Sequence, residues 1–152
     1  MINVRKAAIE DEAKVFDLLG ALFLLGDSYD KVNDWQAAAV EFREIAKNDK
    51  KGAILVAEED GDLVGLLTLS YPEAIRCGGI YTCIEEFIVS EQVRGKGIGG
   101  QLIEAAIAEA TTKGCDEIQV NRPSELGYPV YLRHGLKDLG KHLKTKLPRQ
   151  AP

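Results

Sequence analysis

The sequence has little that would set it apart from ordinary globular proteins. No apolar run approaches the roughly 18 residues needed to cross a bilayer. The longest, ALFLLG from Ala21, is short, and Asp11, Glu12, Lys14 and Asp17 before it make a poor signal peptide. A cytoplasmic protein that binds no membrane is therefore expected. The three cysteines, Cys77, Cys83 and Cys115, are odd in number and irregular in spacing. That argues against a disulfide framework and against a zinc site, so reduced structural thiols and no metal are expected. Net charge is −5 with no basic stripe. A nucleic-acid backbone is thus not the expected ligand, whereas a cationic partner is easily accommodated. No Pro-, Gly- or Ser-rich stretch is long enough to be a linker, and there is no internal repeat. A single domain over residues 1–152 is the expectation.

What is present is periodicity. Ile2 to Ala7 alternates as a strand, and Glu10 to Leu25 has helical spacing through Ala13, Phe16, Leu19, Leu22 and Phe23, with Gly26 as a stop. Asp27 to Asp34 reads as a loop. Trp35 to Lys47 reads as a second helix facing inward through Ala39, Phe42 and Ile45 or Ala46, with Trp35 as a core anchor. In Ala53 to Leu69 two β-rich runs flank Asp60-Gly61, a pair suited to the positive φ angles of a tight hairpin turn. A loop through Tyr71-Pro72 and Gly78-Gly79 leads to a strand from Tyr81 to Val89. Gly97 to Lys113 is then a helix with a buried stripe of Ile98, Leu102, Ile103, Ala106, Ile107 and Ala110, closed by Gly114. Glu117 to Val120 is a strand, Pro129 opens a short helix ended by Gly135, and Lys141 to Leu147 alternates as a last strand. Strands followed by a strand-helix-strand crossover imply an α/β fold with a mixed sheet.

Between the Tyr81–Val89 strand and the long helix lies VRGKGIGG, with glycines at 95, 97, 99 and 100 and cations at Arg94 and Lys96. The first N–H groups of a helix have no intrahelical acceptor, and its dipole favours negative charge there. Glycines allow close approach, so the turn suits a phosphate, and two cations favour a diphosphate. The letters satisfy the dinucleotide pattern G-x-G-x-x-G, but not its context. Ser90 to Arg94 separate strand from glycine, and the acids Asp116 and Glu117 stand at the wrong end of the following strand. No Gly-Lys-Ser or Gly-Lys-Thr is present, which excludes a P-loop.

Read from Arg94, the same stretch is Arg-x-x-Gly-x-Gly after FIV and before a helix. It resembles the acyl-CoA pyrophosphate loop of the GNAT family of N-acetyltransferases. The resemblance extends to the hairpin, to the IEEFIV strand and to VYLRHGL, which is similar to the family's tyrosine-containing helix. It implies a mixed, mainly antiparallel central sheet flanked by helices, acetyl-CoA as acyl donor, and a possible homodimer. It further implies that the backbone of Phe87, Ile88 and Val89 holds the pantetheine arm, and that Arg94, Gly95, Lys96, Gly97, Ile98, Gly99 and Gly100 wrap the pyrophosphate. Ser124 stands where many members carry a cofactor-contacting asparagine.

An alkylamine of pKa about 10.4 is neutral in only about one molecule in a few thousand at pH 7, so attack on a thioester needs a base. Glu85 and Glu86 lie on the strand that would carry the thioester. Adjacent strand residues face opposite sides, so one of the two points at the acetyl group unless a bulge intervenes. The resemblance favours Glu85 as the base, with Glu86 as the alternative. It also favours Tyr131 as the acid that protonates the leaving thiolate, over Tyr128. His134 and His142 match no catalytic position, and Cys83 is expected to be buried and inert. The expected acceptor is a primary amine of a small molecule, such as a polyamine, an aminoglycoside or an amino acid. The alternatives are a protein or peptide amine, or a CoA-binding sensor without turnover.

Overall fold

The computed structural model describes residues 1–25 and 31–149. Gly26, read above as a helix stop, and residues 27–30 of the expected loop lie outside the described residues. Five strands, β1 (Ile2–Lys6), β2 (Gly52–Glu59), β3 (Asp62–Ser70), β6 (Thr82–Val89) and β7 (Ile118–Val120), form a sheet in the order β1-β2-β3-β6-β7. All neighbours are antiparallel except β6 and β7, which are parallel. This is the mixed, mainly antiparallel sheet that the sequence implies. The β2–β3 hairpin turns through Asp60 at φ 51° and Gly61 at φ 85°, the left-handed pair that matches strand twist. A small separate hairpin, β4 (Glu73–Ala74) with β5 (Gly79–Ile80), occupies the expected loop.

Helices cover both faces. On one, α3 (Ile98–Lys113) buries Ile98, Leu102, Ile103, Ala106 and Ala110; the first four pack with Leu67, Leu69 and Ile84 of the sheet. Leu102 is completely buried, and its truncation to alanine would cost about 3 kcal/mol. On the other face, α1 (Glu12–Leu25) and α2 (Trp35–Lys47) place Val15, Leu18, Leu19 and Phe42 against Ile54, Val56, Leu66 and Ile88. Asp34 caps α2 by accepting the Gln36 and Ala37 amides at 2.9 and 3.1 Å.

Three sequence expectations are corrected. Along α1, Leu19 is buried and Phe16, Leu22 and Phe23 pack beside it as expected, but Val15 and Leu18 are buried as well and Ala13 is exposed; apolar residues surround the last turns, so spacing alone does not single out one face. Trp35 is 43% exposed and is not a core anchor. Its position in the first turn puts it at the rim, where its ring leans on Phe16 with centroids 5.3 Å apart. Lys141 to Leu147 is not a strand. Its alternation has no apolar surface opposite: Leu139, Leu143 and Leu147 are 93, 89 and 79% exposed. Alternation without a face to bury does not hold an extended segment in a sheet. No described helix is long and apolar enough to cross a membrane.

Candidate active site

The site starts where the sheet opens. β6 and β7 pair over Thr82↔Ile118, Cys83↔Gln119 and Ile84↔Val120, and there β7 ends while β6 continues to Val89. Beyond Val120 the chain turns away through Arg122 at φ 51° and Pro123, which has no amide to donate. On its β7 side, the edge of β6 from Glu85 onward therefore has no neighbouring strand among the described residues. Phe87, Ile88 and Val89 lie on this stretch, and such an edge presents main-chain donors and acceptors to a ligand. The Val89 carbonyl accepts a hydrogen bond from Arg94 Nε at 3.1 Å, which folds the start of the glycine turn back onto the strand.

That turn delivers the helix terminus. Gly95 and Gly97 have φ of 84° and 80°, in the left-handed region that favours glycine. The Gln101 amide is bonded to the Gly97 carbonyl at 3.2 Å. The amides of Ile98, Gly99 and Gly100 precede that first helical bond and have no acceptor within the helix. Gly99 and Gly100 are also closely packed. A Cβ at Gly99 would lie 3.2 Å from Phe87 Cζ, and one at Gly100 would lie 3.1 Å from His134 Cε1. Arg94, Gly95, Gly97, Ile98, Gly99 and Gly100 all line the cleft that opens here, whereas Lys96 is exposed and lies outside the lining.

The acids sit at the other end of the same β6 stretch. In the β3–β6 ladder Thr68 pairs with Glu86 and Leu69 with Ile84, so Glu85 is an extra, bulged residue. The bulge changes the side-chain parity. Thr68 and Ser70, two residues apart, share one face of β3; the Thr68 hydroxyl bonds to Glu86 Oε2, and the Ser70 hydroxyl donates to Glu85 Oε2 at 2.7 Å. Both carboxylates therefore point to that face. Burial, and then the neighbouring Glu85 charge, push the Glu86 carboxyl up to about 7, while Glu85 is exposed.

Tyr131 belongs to α4 (Tyr128–Arg133), entered through Gly127 with Pro129 in the first turn. Ser124 prepares that entry, its hydroxyl accepting the Gly127 amide at 3.0 Å. Tyr131 is buried, its ring centroid 5.5 Å from that of Phe87, and burial alone raises its phenol above the ordinary value. Tyr128 is exposed and donates to Asp138 Oδ2 at 3.0 Å. His134 is packed, with Nδ1 2.9 Å from the Val130 carbonyl. Cys83 is buried and its thiol is pushed up to about 11, which suppresses nucleophilic thiolate.

Glu85, Glu86, Phe87, Ile88, Val89, Ser124 and Tyr131 thus meet the glycine turn around one cleft of about 1700 Å³. That volume exceeds the roughly 300–1,000 Å³ of an ordinary small-ligand pocket and suits a long ligand with a second reactant. Sequence reading missed Leu22 and Phe23 of α1 and Ala38 of α2, which close part of it. It also missed Thr68 and Ser70. Their signal is the run LLTLS, which places both hydroxyls on one side of β3, opposite Leu67 and Leu69.

The cleft thus lies where the sheet parts between two parallel strands, beside a glycine-rich helix entry. The acetyltransferase (GNAT) family model matches residues 15–135, and the chain belongs to that family. An uncharacterized N-acetyltransferase of Bacillus subtilis, YhfO, is 28% identical over 141 residues, 90% of this chain and 91% of its own. Among solved structures, a predicted acetyltransferase with acetyl-CoA from Clostridium acetobutylicum superposes with a TM-score of 0.80 at 20% identity, covering 96% of each chain. Glucosamine-6-phosphate N-acetyltransferase from Arabidopsis thaliana gives 0.78 at 21% identity, covering 97% of this chain and 99% of that one. The protein is an N-acetyltransferase of that family.

Proposed function

We propose that residues 1–152 act as one acyltransferase domain that moves the acetyl group of acetyl-CoA directly to a primary amine of a small molecule. The observation that carries this reading is the pair Glu85 and Glu86 on one face of β6, at the start of the edge that β7 leaves open. The Phe87–Val89 main chain holds the pantetheine arm like an added strand. The amides of Ile98, Gly99 and Gly100, with Gly95 and Gly97, receive the pyrophosphate, and Arg94 stands beside them. Lys96 contributes charge from outside the cleft, and Ser124 acts by shaping the entry to α4.

Glu86 takes the ammonium proton, which has to be removed at a cost of about 4–5 kcal/mol for an amine of pKa about 10.4. A carboxyl poised at about 7 is a better base near neutral pH than an ordinary glutamate. This favours Glu86 over Glu85, and gives exposed Glu85 the task of attracting the ammonium. The amine nitrogen bonds to the thioester carbonyl carbon, the carbon–sulfur bond breaks, the sulfur takes the Tyr131 proton, and the second proton of the attacking nitrogen passes through solvent to restore the phenol. The raised phenol keeps that proton available across the physiological range. Leu22, Phe23 and Ala38 add apolar helical surface to the lining of the cleft.

Thiol release from acetyl-CoA, measured across polyamines, aminoglycosides, amino acids and a peptide N-terminus, tests the reading. Release that depends on a small amine supports it. Release only with the peptide moves the acceptor to the protein class, and acetyl-CoA binding with no acceptor-dependent release leaves a sensor.

A further inference from the structure

Thr68 stands directly opposite Glu86 in the β3–β6 ladder. Its hydroxyl oxygen accepts the Glu86 amide at 3.1 Å, while its single proton goes to Glu86 Oε2. Main chain and side chain of Glu86 are thereby tied to one oxygen, which removes rotamer freedom and leaves Oε1 for another partner. The next residue on that face, Ser70, is held in turn: its carbonyl accepts the hydroxyl of fully buried Thr82 at 2.8 Å. Threonine in a strand is ordinarily explained by its branched side chain. Here, however, the face around it is built of Leu66 and Ile88, where valine would supply the same branching without a polar atom to satisfy. The hydroxyl accounts for the choice of threonine.

We propose that Thr68 is a positioning residue of the transfer reaction, a clamp that fixes the Glu86 carboxyl so that its free oxygen meets the acceptor ammonium. This rests on the reading of Glu86 as the base. A hydroxyl proton donated to a carboxylate favours its ionised form, against burial and the Glu85 charge. Glu85 is the charged group whose field reaches Glu86 among the described residues, and β3 adds only hydroxyls.

The direct test is a titration of Glu86 by carbon-13 NMR of its side-chain carboxyl, the resonance being assigned with Glu86→Gln. Thr68→Val should move the midpoint upward by about one pH unit, and Thr68→Ser should restore it. A Thr68→Val midpoint that stays in place or moves down overturns the clamp. Thr68→Ala gives the same comparison should the valine variant fail to fold. Turnover with the most active amine of the panel separates the two ideas. Fully active Glu86→Gln would overturn the base reading and with it the catalytic meaning of the clamp. Inactive Glu86→Gln beside an unshifted Thr68→Val would keep the base and discard the clamp.

Discussion

Glu85 and Glu86 are consecutive in β6 yet present their carboxylates to the same face of the sheet, because Glu85 occupies a bulge with no partner across the ladder. In a regular strand one of them would point toward α3. The bulge converts a sequence neighbour pair into a chemical pair, one acid exposed and charged, the other partly buried and pushed up beside it.

Glu86→Gln should lower kcat for amine acetylation by about a hundredfold, the usual scale for losing a positioned base. Glu85→Gln should raise the acceptor KM more than it lowers kcat. Steady-state thiol release with varied amine checks both, and equal kcat in wild type and Glu86→Gln would remove Glu86 from the reaction.

The same acid bears on stability. Glu86 releases its proton at about 7 in the fold against 4.5 ordinarily, so the folded state resists ionising it. Stability is then lost as pH rises from about 4.5 to about 7 and stays lower above that, by an amount on the order of 3 kcal/mol. Glu86→Gln should therefore melt higher than wild type at pH 8, and the gap should close near pH 4. Wild-type kcat/KM should in turn rise through about pH 7 as Glu86 ionises.

Tyr131→Phe should retain the packing on Phe87 and the fold, because only the hydroxyl is removed. A drop in kcat of about ten- to a hundredfold with an unchanged KM for acetyl-CoA is expected. Tyr128→Phe, which loses only an exposed bond to Asp138, should behave like wild type.

Gly97→Ala places a Cβ on a residue at φ 80°, straining the turn by about 1 kcal/mol. Relief of that strain would displace the α3 amides, so the Kd for acetyl-CoA in calorimetry should rise about tenfold while the melting profile stays cooperative. Undiminished affinity would show that the turn does not need its left-handed geometry.

The parts legible in the sequence were those with local physical causes. Asp60-Gly61 announces its turn because few residues tolerate two positive φ angles, and α3 announces its stripe because one face is apolar and its ends carry glycine. The glycine turn was legible for the same reason. The bulge was not, although the apolar residues Ile84, Phe87 and Val89, which share the α3 side of β6, are spaced by three and then two, a break in strand parity. Thr68 and Ser70 were invisible because a hydroxyl in a strand gains meaning only from its neighbour across the ladder. Trp35 and the Lys141–Leu147 segment failed differently: size and alternation predict burial only where another surface exists to receive it.

The parting of β6 and β7 has one more consequence. On the proposed reading, the grip on the donor is written in peptide groups, which every residue type carries alike. Exchanges such as Ile88→Val or Val89→Ile would then retune the hydrophobic layers above and below the sheet without altering affinity for the donor. Innovation in what the enzyme acetylates would have to arise elsewhere, on the helical walls contributed by Leu22, Phe23 and Ala38.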